Sequence, residues 1–196
     1  MSLVSTDWLM ANLDKVKIID CSWHMPQTKR NGFEEYKKQH IKNAIYFDLD
    51  KNSKKDTDLP HMLIDKKSWE NIVSNMGIKN DDQIIVFDNS DVISSCRCWY
   101  NFIYFGHNPN LIKVLDGGLK KWVNEKKPTA NDIVNIKPSH YSANEKIELV
   151  KNKAQINENI LTKEFLVIDA RSKERFEGVV PEPRKGLKSG SINNSY

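Results

Sequence analysis

What this chain lacks narrows its function before any motif is read. No apolar run is long enough to cross a bilayer, so no membrane partner is expected. The N-terminus, Met1-Ser-Leu-Val-Ser-Thr-Asp-Trp-Leu9, has neither the basic region nor the long apolar stretch of a signal peptide, which makes the cytoplasm the default expectation. A net charge of +4, with lysines scattered among nearly as many acids, gives no basic stripe for nucleic acid. Walker-type loops, G-x-G-x-x-G and metal-ligand clusters are all missing, so no cofactor is expected. Cysteine is scarce: Cys21, Cys96 and Cys98 are an odd number without framework or C-x-x-C spacing, and all three read as core or near-core thiols.

What is present is strand–helix alternation. Ser5 is placed to cap a first helix through residue 13, and residues 16–20 form a short apolar run that stops on Asp20. A short helix over 33–40 has Phe33, Tyr36 and His40 along one side, and residues 41–47 give a second apolar run. After a polar loop over 51–60, Trp69, Ile72, Val73 and Met76 recur at helical spacing, with Gly77 placed to end the helix. Residues 84–88 read as a third strand ending on aspartate, followed by a buried helix from Cys96 to Phe105 and a strand over 112–115. Asp116-Gly-Gly118 then turns into a helix that carries Leu119, Trp122 and Val123. Such alternation predicts an α/β fold, a parallel sheet with helices on both faces.

From about residue 125 the chain becomes polar and rich in lysine and asparagine. Residues 128–164 are read as an interdomain linker between a domain over 1–127 and the start of another over 165–196. Phe165-Leu-Val-Ile168 reads as a buried parallel strand ending on Asp169, and its loop carries Arg171, Arg175 and Arg184. Arginine forks suit carboxylate, sulfonate or phosphate, although such a loop can equally pair with its own Glu174, Glu177 and Glu182. The strand ending on Asp169 lies 149 residues after the one ending on Asp20, and Ile192 lies 151 residues after Ile41. Two alignable segments at nearly one offset suggest a duplication whose second copy is incomplete.

With Tyr36, His40-Ile41, Phe47-Asp-Leu-Asp50, His61-Met-Leu63, Val86-Phe-Asp88, Leu115-Asp-Gly-Gly118, Asp169-Ala-Arg171 and Pro181-Glu-Pro-Arg184 in this order, the chain resembles the two-domain rhodanese-type sulfurtransferases, most of all their 3-mercaptopyruvate branch. The resemblance implies tandem rhodanese domains, the second incomplete. It also implies sulfur transfer from 3-mercaptopyruvate or thiosulfate, a small anionic donor, to a thiol, cyanide or thioredoxin-like acceptor through a cysteine persulfide. Arg175 and Arg184 match the residues that hold the donor anion. Asp50 and His61 match a proposed catalytic relay with a serine of the cysteine loop. The loop bearing the nucleophilic cysteine matches nothing in this chain, and Asp88-Asn-Ser-Asp91 fills its place in the first copy. The alternative is a non-catalytic rhodanese-fold module that binds an anion or a protein. A phosphatase-like loop is a third reading, for which no C-x₅-R is visible.

Overall fold

The computed structural model describes residues 2–183 and 186–196, in two units, 1–147 and 148–196. In the first, β1 (Leu3–Val4) leads into α1 (Thr6–Met10), where the Ser5 hydroxyl accepts from the Trp8 N–H as a cap. Then come β2 (Lys17–Asp20), α2 (Gly32–Lys38), β3 (His40–Ile41), β4 (Ala44–Tyr46) and α3 (Lys66–Asn75). The unit continues with β5 (Ile84–Phe87), α4 (Ser95–Tyr104), β6 (Ile112–Leu115), α5 (Gly118–Asn124) and β7 (Thr129–Ala130). Among the described residues β1, β6, β5, β2 and β4 form, in that order, one wholly parallel sheet.

Alternation along the strands divides the core between two faces. Ile19, Ile84 and Val86 join Trp69 and Val73 of α3 and Cys98 and Phe102 of α4 on one side. Ile18, Ile85 and Phe87 join Leu9 of α1, Tyr36 of α2, and Leu119 and Trp122 of α5 on the other. The expected α/β architecture is therefore the observed one, and β5, buried at all four residues, explains why it reads as a continuous apolar run.

Four expectations need correction. The apolar run over 41–47 is not one strand. Asn43 adopts a left-handed backbone (φ +67°), which asparagine tolerates better than other side chains. The turn separates β3, paired antiparallel with β7, from β4 in the main sheet. His40 accordingly leaves the helix and lies fully buried in β3, stacked on Tyr36 at 4.0 Å. Second, Cys96 is exposed, whereas Cys21 and Cys98 are buried. In α4 the inward face carries Cys98, Asn101 and Phe102, and a residue two positions before Cys98 falls on the opposite side.

Third, the segment expected as a linker does not stand apart. Up to Ile147 it belongs to the first unit: β7 pairs with β3, Tyr141 is buried, and the Asn144 N–H donates to the Phe105 carbonyl at 2.9 Å. Its polar composition hides these few anchors. The rest belongs to the second unit, where α6 (Lys153–Thr162) begins with a reciprocal cap between Asn152 and Gln155.

Fourth, residues 165–168 do not form a buried strand. Their single bridge joins Val167 to Ser195, and Leu166 and Ile168 are 75% and 77% exposed. A strand with one short neighbour and no helix over its apolar positions has neither ladder nor burial to hold it. α7 (Lys173–Phe176) follows it.

Candidate active site

The polar loop of the first unit brings Asp50 and His61 together. Buried Phe47 and Leu49 anchor the chain leaving β4. The Asp48 carboxylate then accepts from the Lys51 N–H, and the Ser53 hydroxyl donates to the Leu49 carbonyl. The Lys54 N–H donates to the Met62 carbonyl at 2.9 Å, closing the loop so that residues eleven apart meet. His61 Nε2 lies 2.8 Å from Asp50 Oδ1, while Asp50 Oδ2 accepts from the Trp23 indole N–H at 2.9 Å. The Trp23 ring meets the His61 imidazole edge-on, with centroids 4.8 Å apart.

This arrangement orients the imidazole. A nitrogen facing a carboxylate carries the proton, so neutral His61 is protonated at Nε2 and presents Nδ1 as the acceptor. Among the described residues Nδ1 has no hydrogen-bond partner. The His61 backbone is left-handed (φ +55°), a conformation that costs a residue with a side chain and needs support from its surroundings. Arg97 of α4 gives that support, donating from Nη2 to the His61 carbonyl. Burial lowers the pKa of the Arg97 guanidinium, which also lies over the Tyr100 ring. A carboxylate-held imidazole with an open nitrogen can take up and return a proton.

In the second unit, every guanidinium nitrogen of Arg171 is hydrogen-bonded. Its Nε and Nη2 reach Asp169, Nη2 also donates to the Gly190 carbonyl at 2.7 Å, and Nη1 donates to Glu182 Oε1 at 2.8 Å. These contacts hold the Asp169 carboxyl down to about 2. Arg175 grips Glu182 through Nε and Nη2, and Glu182 is pulled below the usual carboxylate range, first of all by Arg175. The pairing of the arginine loop with its own acid is thus present, through Glu182. Arg184 lies outside the described residues.

Sequence reasoning named Asp50, His61 and Arg175, with Glu182 among the acids able to pair with the arginine loop, but it did not name Trp23 or Arg97 as partners of these side chains. Trp23 lies 27 residues before Asp50, and Arg97 lies 36 after His61 on a helix read only as core. No local pattern marks either one. Glu182, by contrast, was within reach of sequence reading, because it lies seven residues from Arg175 in a short loop.

The comparisons agree with this architecture. The rhodanese-like domain family matches residues 5–125. Mitochondrial thiosulfate/3-mercaptopyruvate sulfurtransferase 1 of Arabidopsis thaliana is 38% identical over 216 residues, covering 98% of this chain and 56% of its own. The 3-mercaptopyruvate sulfurtransferase of Mus musculus is 31% identical over 202 residues, covering 99% of this chain and 67% of its own. The chain therefore spans from just over half to two thirds of the length of these relatives. The structure of SseA from Escherichia coli, described by its rhodanese fold and the mechanism of 3-mercaptopyruvate sulfotransferases, superposes with a TM-score of 0.88 at 27% identity, over 100% of this chain and 73% of that one. Matched residues, relatives and superposition agree, and the chain belongs to the rhodanese-like family, alongside the thiosulfate and 3-mercaptopyruvate sulfurtransferases.

Proposed function

We propose that the protein transfers sulfur from 3-mercaptopyruvate, or from thiosulfate, to a thiol, cyanide or thioredoxin-like acceptor through a cysteine persulfide. The nucleophilic cysteine is supplied from outside residues 1–196. Cys21 and Cys98 are core thiols, with burial pushing Cys21 well above its ordinary range, and Cys96 lies on the outer side of α4. With 3-mercaptopyruvate, the cysteine thiolate attacks the donor sulfur and the sulfur–carbon bond breaks. Its electron pair and the donor's thiol proton go to carbon to give pyruvate.

The observation that carries this reading is the Asp50–His61 pair, with Nδ1 unpartnered among the described residues, in a chain of this family. His61 serves as the proton carrier, Asp50 holds its tautomer, and Arg175 and Arg184 receive the donor anion. The second unit is read as the beginning of a second rhodanese copy. Val167 pairs with Ser195 in parallel as Ile18 pairs with Ala44, and Asn194 (φ +63°) turns as Asn43 does.

Intact mass of the full-length protein after incubation with 3-mercaptopyruvate tests the reading, with a gain of one sulfur expected. His61→Gln should slow persulfide formation by about 10²-fold, the scale of a lost proton carrier. Arg175→Ala should weaken donor use by about 1.5–3 kcal/mol, the worth of a hydrogen bond to a charged group. A protein that takes up no sulfur is instead a rhodanese-fold binding module. Unchanged turnover in both variants removes the residue assignments.

A further inference from the structure

Glu182 joins the two described arginines of the second unit, and it does so differently for each. Its side chain is only 4% exposed, although it lies in a loop between Pro181 and Pro183. Arg171 donates to it from Nη1 with its remaining nitrogens already bound to Asp169 and Gly190, so Arg171 works as a staple. Arg175 donates to it from Nε and Nη2, the side edge of the guanidinium. Among the described residues Arg175 Nη1 donates to nothing, and the Arg175 side chain is 33% exposed. A guanidinium is a rigid planar fork, so fixing its side edge also fixes the direction of its remaining N–H groups. Without that grip, a long flexible side chain would sample many rotamers and lose entropy on meeting an anion.

We propose that Glu182 is a positioning residue for the sulfur donor: held by the Arg171 staple, it grips the side edge of Arg175 and leaves Nη1 aimed outward at the donor's anionic group. This rests on the sulfur-transfer reading. It adds a residue that acts only through Arg175 and never touches the donor. The opposite role is open to the same carboxylate, which would then compete with the donor for Arg175. The two roles have opposite signs. As an aiming group, Glu182 lowers the donor concentration required; as a competitor, it raises it.

The test is a double-mutant cycle on the full-length protein with 3-mercaptopyruvate, comparing wild type, Glu182→Gln, Arg175→Ala and the double variant. Glu182→Gln keeps the shape of the side chain but removes its charge. It is expected to raise KM about tenfold with kcat changed less than twofold. KM does not depend on the folded fraction, so partial misfolding cannot imitate this result. In the Arg175→Ala background the same change is expected to have no further effect, because the group it acts through is gone. Equal effects in both backgrounds would make Glu182 merely structural and overturn the proposal. A lower KM in Glu182→Gln would make it a competitor, and an unchanged KM would give it no role. Absence of sulfur uptake by wild type would instead remove the sulfur-transfer reading, and this inference with it.

Discussion

Trp69→Ala is expected to destabilise the first unit by about 3–5 kcal/mol, the range for removing a buried aromatic side chain. Trp69 is fully buried in α3 at the centre of an aromatic cluster. It stacks on Phe105 at 4.7 Å, and Phe102 and Phe47 meet it edge-on at 5.0 and 6.0 Å. Packing alone places a large cavity there after truncation, and each aromatic contact adds roughly 0.5–1.5 kcal/mol beyond its area. The loss is a sizeable share of the roughly 5–15 kcal/mol that holds a domain together. It also bears on the candidate site. Phe47 begins the segment that presents Asp50, and α3 follows directly on the loop that carries His61. Urea unfolding followed by circular dichroism measures the effect. A loss below about 1 kcal/mol would mean that the cluster collapses around the gap, contrary to the tight packing described.

The second large effect is a dependence on pH carried by Asp20. This residue ends β2, between β5 and β4 in the sheet, is 1% exposed, and has its carboxyl pushed up to about 7, first of all by burial. Bonds from the Ser22 N–H (2.9 Å) and hydroxyl (2.5 Å) act the other way but do not win, and Asp88 and Glu35 add repulsion. The folded protein therefore keeps this proton up to about pH 7, whereas the unfolded chain releases it near the ordinary 3.8. Between those values the folded state binds more protons, so this group's contribution to stability falls as pH rises and levels off above 7. The full span is about 4 kcal/mol at 1.36 kcal/mol per pKa unit.

Carboxyls with depressed values, such as Glu35 beside Arg30, slope in the opposite direction, so the wild-type curve alone does not isolate Asp20. Asp20→Asn does. The variant keeps an acceptor for Ser22 and cannot ionise. Its stability relative to wild type is expected to rise between pH 4 and 7 and to be greatest above 7. Denaturant midpoints of both proteins across that range provide the measurement, and a constant difference would show that Asp20 does not titrate there.

Much of the first unit was legible because its signals are local. Strands over 17–20, 84–87 and 112–115 read from short apolar runs, and Gly77 (φ +65°) and Gly106 (φ +83°) stand where helices must end. Edge elements left no such mark. β1 and β7 have two residues each and exist through their neighbours, not through their own propensity. Residues 165–168 erred in the other direction: an apolar run states what would be buried, but not whether anything is there to bury it.

The sequence by itself determined the class of fold and the position of most first-unit elements, because periodicity, caps and turns act over a few residues, and its resemblance to the sulfurtransferases supplied the candidates Asp50, His61 and Arg175. The tertiary structure decided what those candidates touch. It set Trp23 and Arg97 around His61 and closed Glu182 on Arg175, while exposing Cys96 and Ile168. Hydrogen-bond direction and burial depend on groups tens of residues apart in the chain, and only the packed backbone brings those within 3 Å of each other.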